Sequence, residues 1–400
     1  MEDMAMTAFA ISVGFIVYTI AGYPLVLALM ARVRRPAQEA RPFTPRTVTV
    51  LLAVHNGETW IARKLQSLLA LDYPQELLHV LVLDDGSTDG TAAAVRRVTD
   101  PRVELVSLPH GGKARALNAG MARATGDVLL FTDVRQRLHP QSLRRLVGRF
   151  AEPRVGVVSG ELEIEASNQD ERSVGLYWRY DKWIRRHQGL VHSMTGATGS
   201  IYAMRRELAV PLPPDTLVDD MYLPLSAGLR GSWLVFEPEA KAYDCGTTPA
   251  EEFRRKVRTL AGNVQILRAL PRLLWPSHRT WFHFVSHKLT RLVLPYAALT
   301  ACVTGLRLPS PADGIVLSAL AVYGFLALAD SRIPTHGILK RTSSITRTSA
   351  VLLAAAACAP LAVLRGRQAL WRPVVAAPGR SMLLRDVRGA NWRRSPAVGR

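Results

Sequence analysis

The stretch HVLVLDDGSTDGT, His79 to Thr91, ends a run of leucine and β-branched residues in two adjacent carboxylates and a Ser-Thr-Asp-Gly turn. An apolar run of this length, bounded by turn residues, reads as a buried strand over Val80–Leu83. Thr91–Val98 after it reads as a helix, with Ser87 and Asp89 as its caps. Asp84 and Asp85 repel each other, so some partner must offset the cost of placing them side by side. The same grammar recurs on either side. Val48–Val54 is a strand, and Ile61, Leu65, Leu68 and Leu69 recur at helical spacing until Asp72-Tyr73-Pro74 breaks the helix. Val103–Leu108 is a third strand, Ala114–Ala124 a helix and Val128–Thr132 a fourth strand; Val155–Glu163 and Trp233–Pro238 add further strands. Strands alternating with helices predict a parallel, doubly wound α/β sheet with right-handed crossovers.

In such a sheet, ligands bind beyond the carboxyl ends of the strands, and the polar residues of this chain collect there. Strand one runs into Ala53-Val54-His55-Asn56-Gly57-Glu58, strand two into Asp84-Asp85-Gly86-Ser87 and strand four into Asp133, while Gly111-Gly112-Lys113 follows strand three. Asn56 or Asp89 taken alone fits an ordinary helix cap; four clusters on one edge point to a ligand. A dinucleotide site needs GxGxxG, and no two glycines here are separated by one residue. A Walker A loop needs GxxxxGK followed by Ser or Thr, and Gly112-Lys113 is followed by Ala114. What is left is acidic residues for a ribose, a base edge and a divalent cation, with a lysine for phosphate. That is the chemistry of a nucleotide-sugar site.

The flanks are of another kind. The 28 residues from Met4 to Ala31 carry no charge, more than the ~20 that span a bilayer. The acidic start MEDM argues against a secretory signal, and Pro24 is tolerable in a membrane helix. Arg32, Arg34, Arg35, Arg41 and Arg46 follow, which by the positive-inside rule places the N-terminus outside and the next domain in the cytoplasm. Leu267–Lys288 mixes Trp275, Trp281, Phe282 and Phe284 with Arg268, Arg272 and Arg279, as an interfacial segment does. His283 and His287 stand at a metal-ligand spacing with no carboxylate partner nearby in sequence. Leu292–Leu306, Gly314–Ala329 and roughly Ser349–Leu364 are apolar. Three crossings would put the tail outside, yet it carries nine arginines from Arg365 to Arg400, so the rule and the segment count conflict.

The 400-residue chain has 51 basic and 32 acidic residues, a formal charge of +19. That excess fits a membrane protein with basic cytoplasmic flanks or a nucleic-acid binder, and a slightly positive mean hydropathy favours the membrane. Cys245, Cys302 and Cys358 form no CxxC pair, which argues against a structural zinc site or a disulfide framework. The expected domains are a transmembrane helix over 4–31, a cytoplasmic catalytic domain over 47–265, an interfacial segment over 266–288, two or three transmembrane helices over 289–366 and a basic tail over 367–400.

Taken in order, AVHNGE, LDDGSTDGT, GGKARALN, FTD, TGATGSIYAMRR, LVDD and RRKVRTLAG resemble the motifs of membrane-bound family 2 glycosyltransferases, the group of cellulose, hyaluronan and poly-N-acetylglucosamine synthases. The resemblance covers Val48 to about Gln265. It implies a type A glycosyltransferase (nucleotide-diphospho-sugar transferase) domain with flanking transmembrane helices. It also implies an inverting transferase that moves a sugar from a nucleotide-diphosphate donor, expected to be a UDP-sugar, to a polysaccharide or lipid-linked acceptor at the cytoplasmic face of the inner membrane.

Residue by residue, the resemblance implies that Ala53, Asn56, Glu58 and Asp85 hold the nucleoside, that Lys113 lies near the nucleotide and that Arg258 lies by the diphosphate. Asp133 matches the first carboxylate of the metal motif, which implies Mg2+ or Mn2+ as cofactor; Arg135 stands where the second carboxylate belongs. Asp220 matches the general base. Asp219-Asp220 also fits a helix N-cap before MYLPLSAGL. Gly196 and Gly199 match a loop near the acceptor. In the last motif Arg255 and Thr259 replace glutamine and tryptophan, and the missing tryptophan weighs against long-chain polymerisation. The Arg254–Arg258 run also fits a basic face near anionic lipid. The expected partners are the donor, the acceptor and membrane lipid, not nucleic acid. A rival reading is a non-catalytic basic membrane protein binding anionic lipid or nucleic acid, which predicts steep salt dependence.

Overall fold

The computed structural model describes residues 2–33, 43–165, 172–245, 249–334 and 337–364. Arg34, Arg35 and Arg41 and the basic tail over 367–400 lie outside the described residues. The strands are β1 (Val48–Val54), β2 (Leu78–Asp85), β3 (Val103–Leu108), β4 (Val128–Phe131), β5 (Arg137–Leu138), β6 (Val155–Glu165), β7 (Tyr202–Arg205) and β8 (Trp233–Cys245). The helices are α1 (Glu2–Val17), α2 (Tyr23–Val33), α3 (Glu58–Leu69), α4 (Thr91–Arg96), α5 (Lys113–Arg123), α6 (Ser142–Gly148), α7 (Arg172–Leu190), α8 (Asp219–Leu229), α9 (Pro249–Ala269), α10 (Trp281–Phe284), α11 (Thr290–Gly305), α12 (Ala312–Ala329) and α13 (Ile338–Leu364).

The strands form one sheet in the order β3-β2-β1-β4-β7-β6-β8-β5. β1 is parallel to β2 and β4, and β2 to β3. The expectation of a parallel sheet holds for these four strands and for the β6–β8 pair. β7 runs antiparallel to β4 and β6, and β5 antiparallel to β8, so the sheet is mixed. The four-residue β7 lies inside TGATGSIYAMRR and is too short to show a period. It is fixed beside β4 by long-range packing, in which Tyr202 stacks on Phe131 with ring centroids 4.6 Å apart.

Both faces of the sheet are buried. Val50, Leu52, Val80 and Val82 pack on one side with Ile61, Leu65 and Leu68 of α3. Leu51, Leu81 and Leu83 pack on the other with Ala116 and Leu117 of α5. This accounts for the unbroken apolar runs, since a strand covered on both faces has no polar side to alternate with.

β2 reaches Asp85, two residues beyond the predicted strand end. Both carboxylates therefore belong to the strand, where successive side chains point to opposite faces. Their partners are backbone amides. Asp84 Oδ1 accepts from Ser87 N at 3.0 Å. Asp85 Oδ1 accepts from Gly111 N and Gly112 N at 2.7 and 2.9 Å. Asp89 caps as expected, accepting from Thr91 N at 3.0 Å. Ser87 does not: its Oγ accepts from Asn56 N at 2.9 Å and joins the β1 and β2 loops instead.

Among the described residues, three helices are long and apolar enough to cross a membrane: Glu2–Val33, Ala312–Arg332 and Ile338–Val363. The first contains a π-helical turn, Tyr18–Gly22, just before Pro24. Such a turn accommodates the hydrogen bond that proline cannot donate. The expected segment Leu292–Leu306 falls in α11, which continues directly from α10 through a π-helical turn over Val285–Leu289. The third segment begins at Ile338, well before Ser349, and buries Ala355, Ala356 and Ala359. His283 and His287 are buried polar joints rather than a metal pair. His283 Nδ1 lies 3.1 Å from the Tyr23 hydroxyl, and His287 Nδ1 lies 3.3 Å from Gln188 Nε2.

Candidate functional site

The sheet order changes direction at β1, with β2 and β3 on one side and β4 on the other. The crevice at such a switch point is where open α/β sheets bind ligands. A cleft of about 2270 Å³ opens there, and it is lined by Ala53, Asn56, Asp85, Lys113, Asp133, Gly196, Gly199, Asp220 and Arg258. Of the expected site residues, Glu58 is not on the wall. Its Oε2 accepts from Gly90 N at 3.0 Å, and its own N–H donates to Asp89 Oδ2 at 3.1 Å. Asn56 works the same joint, because Oδ1 accepts from Thr88 N at 2.8 Å. Asn56 adopts a positive φ of 52°, tolerable for asparagine. These two residues lock the β1 and β2 loops together.

Asp85 organises the next loop. Besides the two glycine amides, His110 Nδ1 approaches its Oδ2 at 3.0 Å, and His55 Nδ1 lies 2.8 Å from its backbone oxygen. His55, Asp85 and His110 bring three potential ligand atoms within 4.8 Å of one another, and the two imidazole centroids are 4.3 Å apart. Sequence reasoning missed both histidines, although His55 directly follows β1 and His110 comes two residues after β3, at the ligand edge.

The acidic centre lies across the cleft. Lys113, the first residue of α5, sets its ammonium 2.9 Å from Asp133 Oδ1 and 3.1 Å from Asp219 Oδ1. Burial works against that ammonium, but Asp133, Asp219 and Asp220 together hold its pKa above the usual lysine range. Burial likewise opposes the Asp133 carboxylate, which Lys113, Arg258 and Lys64 keep below its ordinary value. Asp220 goes the other way: burial first and the Asp219 charge second push it up to about 6, against the pull of Lys113 and Arg258. The second oxygen of Asp219 is buried with no hydrogen bond among the described residues.

The glycine loop explains how Asp220 is held. Ala197 N donates to Asp220 O at 2.7 Å, and a Cβ on Gly199 would lie 2.9 Å from Asp220 Oδ2. At Gly196 a Cβ would meet Met221 Cγ at 2.8 Å. We expect Gly199→Ala to push the carboxylate aside and lower turnover at least tenfold with donor affinity unchanged; steady-state kinetics beside donor calorimetry checks this.

Arg135 is turned away from the acidic centre into an ion pair with Asp244 of β8, which also accepts from Gln136 Nε2 at 2.8 Å. Behind Asp133 lies Lys64, 1% exposed, which donates to Thr132 Oγ1 at 2.6 Å and Gln136 O at 2.8 Å. Its place in the amphipathic pattern of α3 gave no sign of this role. Burial pulls its pKa down from 10.5 to about 7, with Asp133 opposing. Between those values the unfolded chain holds a proton that the folded chain lacks, so stability rises with pH across that window, by up to about 1.4 kcal/mol per unit. Lys64→Met should remove this dependence. Its thermal-shift advantage over the wild type is expected to be larger at pH 6.5 than at pH 9.

The donor set suits a hard divalent cation. Three carboxylates face two cationic groups, Lys113 and Arg258, and one Asp219 oxygen has no partner.

A sheet of this topology, with carboxylates and a lysine at its switch point, defines the type A glycosyltransferase fold. Residues 49–210 match the family model described as Glycosyl transferase family 2. The chain is 30% identical over 161 residues to the beta-monoglucosyldiacylglycerol synthase of Synechocystis sp., covering 38% of this chain and 33% of that protein. It is 24% identical over 229 residues to the poly-beta-1,6-N-acetyl-D-glucosamine synthase of Staphylococcus aureus, covering 55% of each. The chain thus spans between about a third and a half of the length of these curated relatives. Among solved structures, a mannosyltransferase from Pyrobaculum calidifontis in complex with GDP-Man and Mn2+ superposes with a TM-score of 0.69 at 24% identity. That match covers 88% of this chain and 99% of the other.

Proposed function

We propose that the chain is an inverting glycosyltransferase of the inner membrane, with its catalytic domain in the cytoplasm. It would transfer a sugar from a nucleotide-diphosphate donor to the hydroxyl of a polysaccharide or lipid-linked acceptor. The observation that carries this reading is Asp220, a carboxylate raised to about 6 on a cleft wall shared with Lys113, Asp133 and Arg258. Asp220 takes the proton from the acceptor hydroxyl as that oxygen attacks the anomeric carbon. Lys113 and Arg258 offset the charge that builds on the diphosphate as the glycosidic bond breaks. A direct displacement inverts the anomeric centre, and no second carboxylate is needed as a nucleophile.

Asp133, with Asp219 beside it, would hold Mg2+ or Mn2+, which when bound neutralises charge on the leaving diphosphate. Ala53, Asn56 and Asp85 line the nucleoside end. Asn56 and Glu58 also fix the loop that shapes it. Gly196 and Gly199 bring backbone close to the acceptor. The relatives' names and the superposed mannosyltransferase support a nucleotide-sugar donor, and a UDP-sugar is the first to test. The candidate membrane spans support the membrane location.

The test is a screen of purified full-length protein against UDP- and GDP-sugars with Mg2+ or Mn2+. Binding of one donor that strengthens with the cation is expected. The absence of binding by every donor, with or without cation, would sink the reading and favour a non-catalytic basic membrane protein.

A further inference from the structure

The cleft does not end at the acidic centre. It continues between the helices outside the catalytic domain, where Ile16, Ile20, Leu294, Ala298, Leu320 and Leu352 line it. Where the polar and apolar parts meet stands a second group of charges. Arg185 and Arg291 share Asp181, at 2.8 and 3.3 Å. Arg185 also donates to Thr198 Oγ1 at 2.9 Å, within the glycine loop that holds Asp220. Lys288 lies on the same wall and forms no ion pair or hydrogen bond among the described residues. It is near enough to Asp181 and Asp220 to feel both charges. Asp181 is thus shared between Arg185 and Arg291 while Lys288 has no ion-pair partner among the described residues, and positive charge away from bulk water needs a counter-charge.

An independent observation points the same way. His287 is 4% exposed and lines the cleft. Its Nδ1 faces the Gln188 amide nitrogen, a donor, at 3.3 Å. Nδ1 also lies 3.4 Å from Thr195 Oγ1. Its Nε2 is buried with no partner among the described residues. A buried polar nitrogen without a partner is costly and signals a missing one.

We propose that Arg185, Lys288, Arg291 and His287 form the acceptor-headgroup site, and that the acceptor is a phosphate-bearing lipid whose headgroup carries a free hydroxyl. The phosphate sits among the cations, the hydrocarbon lies in the apolar stretch, and the hydroxyl is presented to Asp220. In the transfer, the hydroxyl oxygen forms the new bond to the anomeric carbon. The bond to the donor diphosphate breaks, its electron pair leaves with the nucleoside diphosphate, and the proton goes to Asp220. A growing polysaccharide fits this end less well. Sugar rings are held by aromatic faces and hydroxyl partners, and this stretch is mostly aliphatic, with Tyr323 the aromatic among α11, α12 and α13 lining residues. A neutral lipid would leave Lys288 without a counter-charge.

The proposal rests on the glycosyltransferase reading, so its test uses lipid binding without donor. Full-length protein in phosphatidylcholine nanodiscs is titrated with short-chain phosphatidylglycerol, and donor calorimetry on the same preparation tests the parent reading separately. Phosphatidylglycerol is expected to bind at least tenfold more tightly than diacylglycerol of equal chain length. Lys288→Met, which breaks no ion pair, should weaken it about tenfold or more, and Lys288→Arg should restore most of the loss. Equal binding of diacylglycerol, or an unaffected Lys288→Met, overturns the proposal. Displacement by inorganic phosphate at equal concentration, or tighter binding of a soluble oligosaccharide, does so too.

Discussion

Asp220→Asn is expected to lower turnover by roughly 10²- to 10⁴-fold while donor affinity stays within a few-fold. The asparagine keeps the shape and the contacts with the glycine loop but cannot accept the hydroxyl proton. The pH profile adds a second signature. Burial and the Asp219 charge raise Asp220 to about 6, so wild-type activity should climb as pH rises through that value and flatten above it. The variant should lose that limb. Stability runs the opposite way. Between the ordinary value of 3.8 and about 6, the folded state holds a proton that the unfolded state has released. Folding is therefore favoured at the acid end of this window, and the benefit is lost as pH rises through it. Thermal unfolding of wild type and variant from pH 4 to 7 should show that difference. An Asp220→Asn enzyme with near-normal turnover would remove the base assignment.

Lys113→Met should have the next largest effect. The ammonium is within 3.1 Å of carboxylates on two elements, Asp133 and Asp219, and it pulls Asp220 down. Without it, Arg258, with Lys64 behind Asp133, is left to offset three carboxylates. The acid limb of the pH profile is expected to move above 6, because the charged form of Asp220 loses its nearest support. Donor affinity should fall by about a hundredfold, since the diphosphate loses a cation in a site of reduced dielectric. Calorimetry with the donor reads the second effect, and the pH profile reads the first. A fall in affinity with no movement of the limb would place Lys113 on the donor but away from Asp220.

Much of this was legible in the sequence because its determinants are local. Strands β1, β2 and β4 announced themselves as apolar runs, as a sheet buried on both faces requires, whereas β3 at the edge interleaves the exposed Glu104 and Ser107. Asp85, Lys113 and Asp133 could be placed at one edge because parallel strands carry their loops to the same end. Apolar spacing also marked α3 through Ile61, Leu65, Leu68 and Leu69, and the helix read over Ala114–Ala124 matches α5 to within a residue.

What the tertiary structure decided involves partners far apart in the chain. β7 sits antiparallel between β4 and β6 because of contacts across the sheet, not because of a period in four residues. Arg135 was read as a gap in a metal motif; it is the partner of Asp244, 109 positions away. Lys64 looked like one more charge on an amphipathic helix and proved to be buried behind Asp133. Arg185 of α7 and Arg291 of α11 meet over Asp181 at the base of the cleft. A one-dimensional pattern records which residues face a core. Which buried charges face each other depends on how helices and strands from distant parts of the chain are packed, and electrostatics acts through that distance in space.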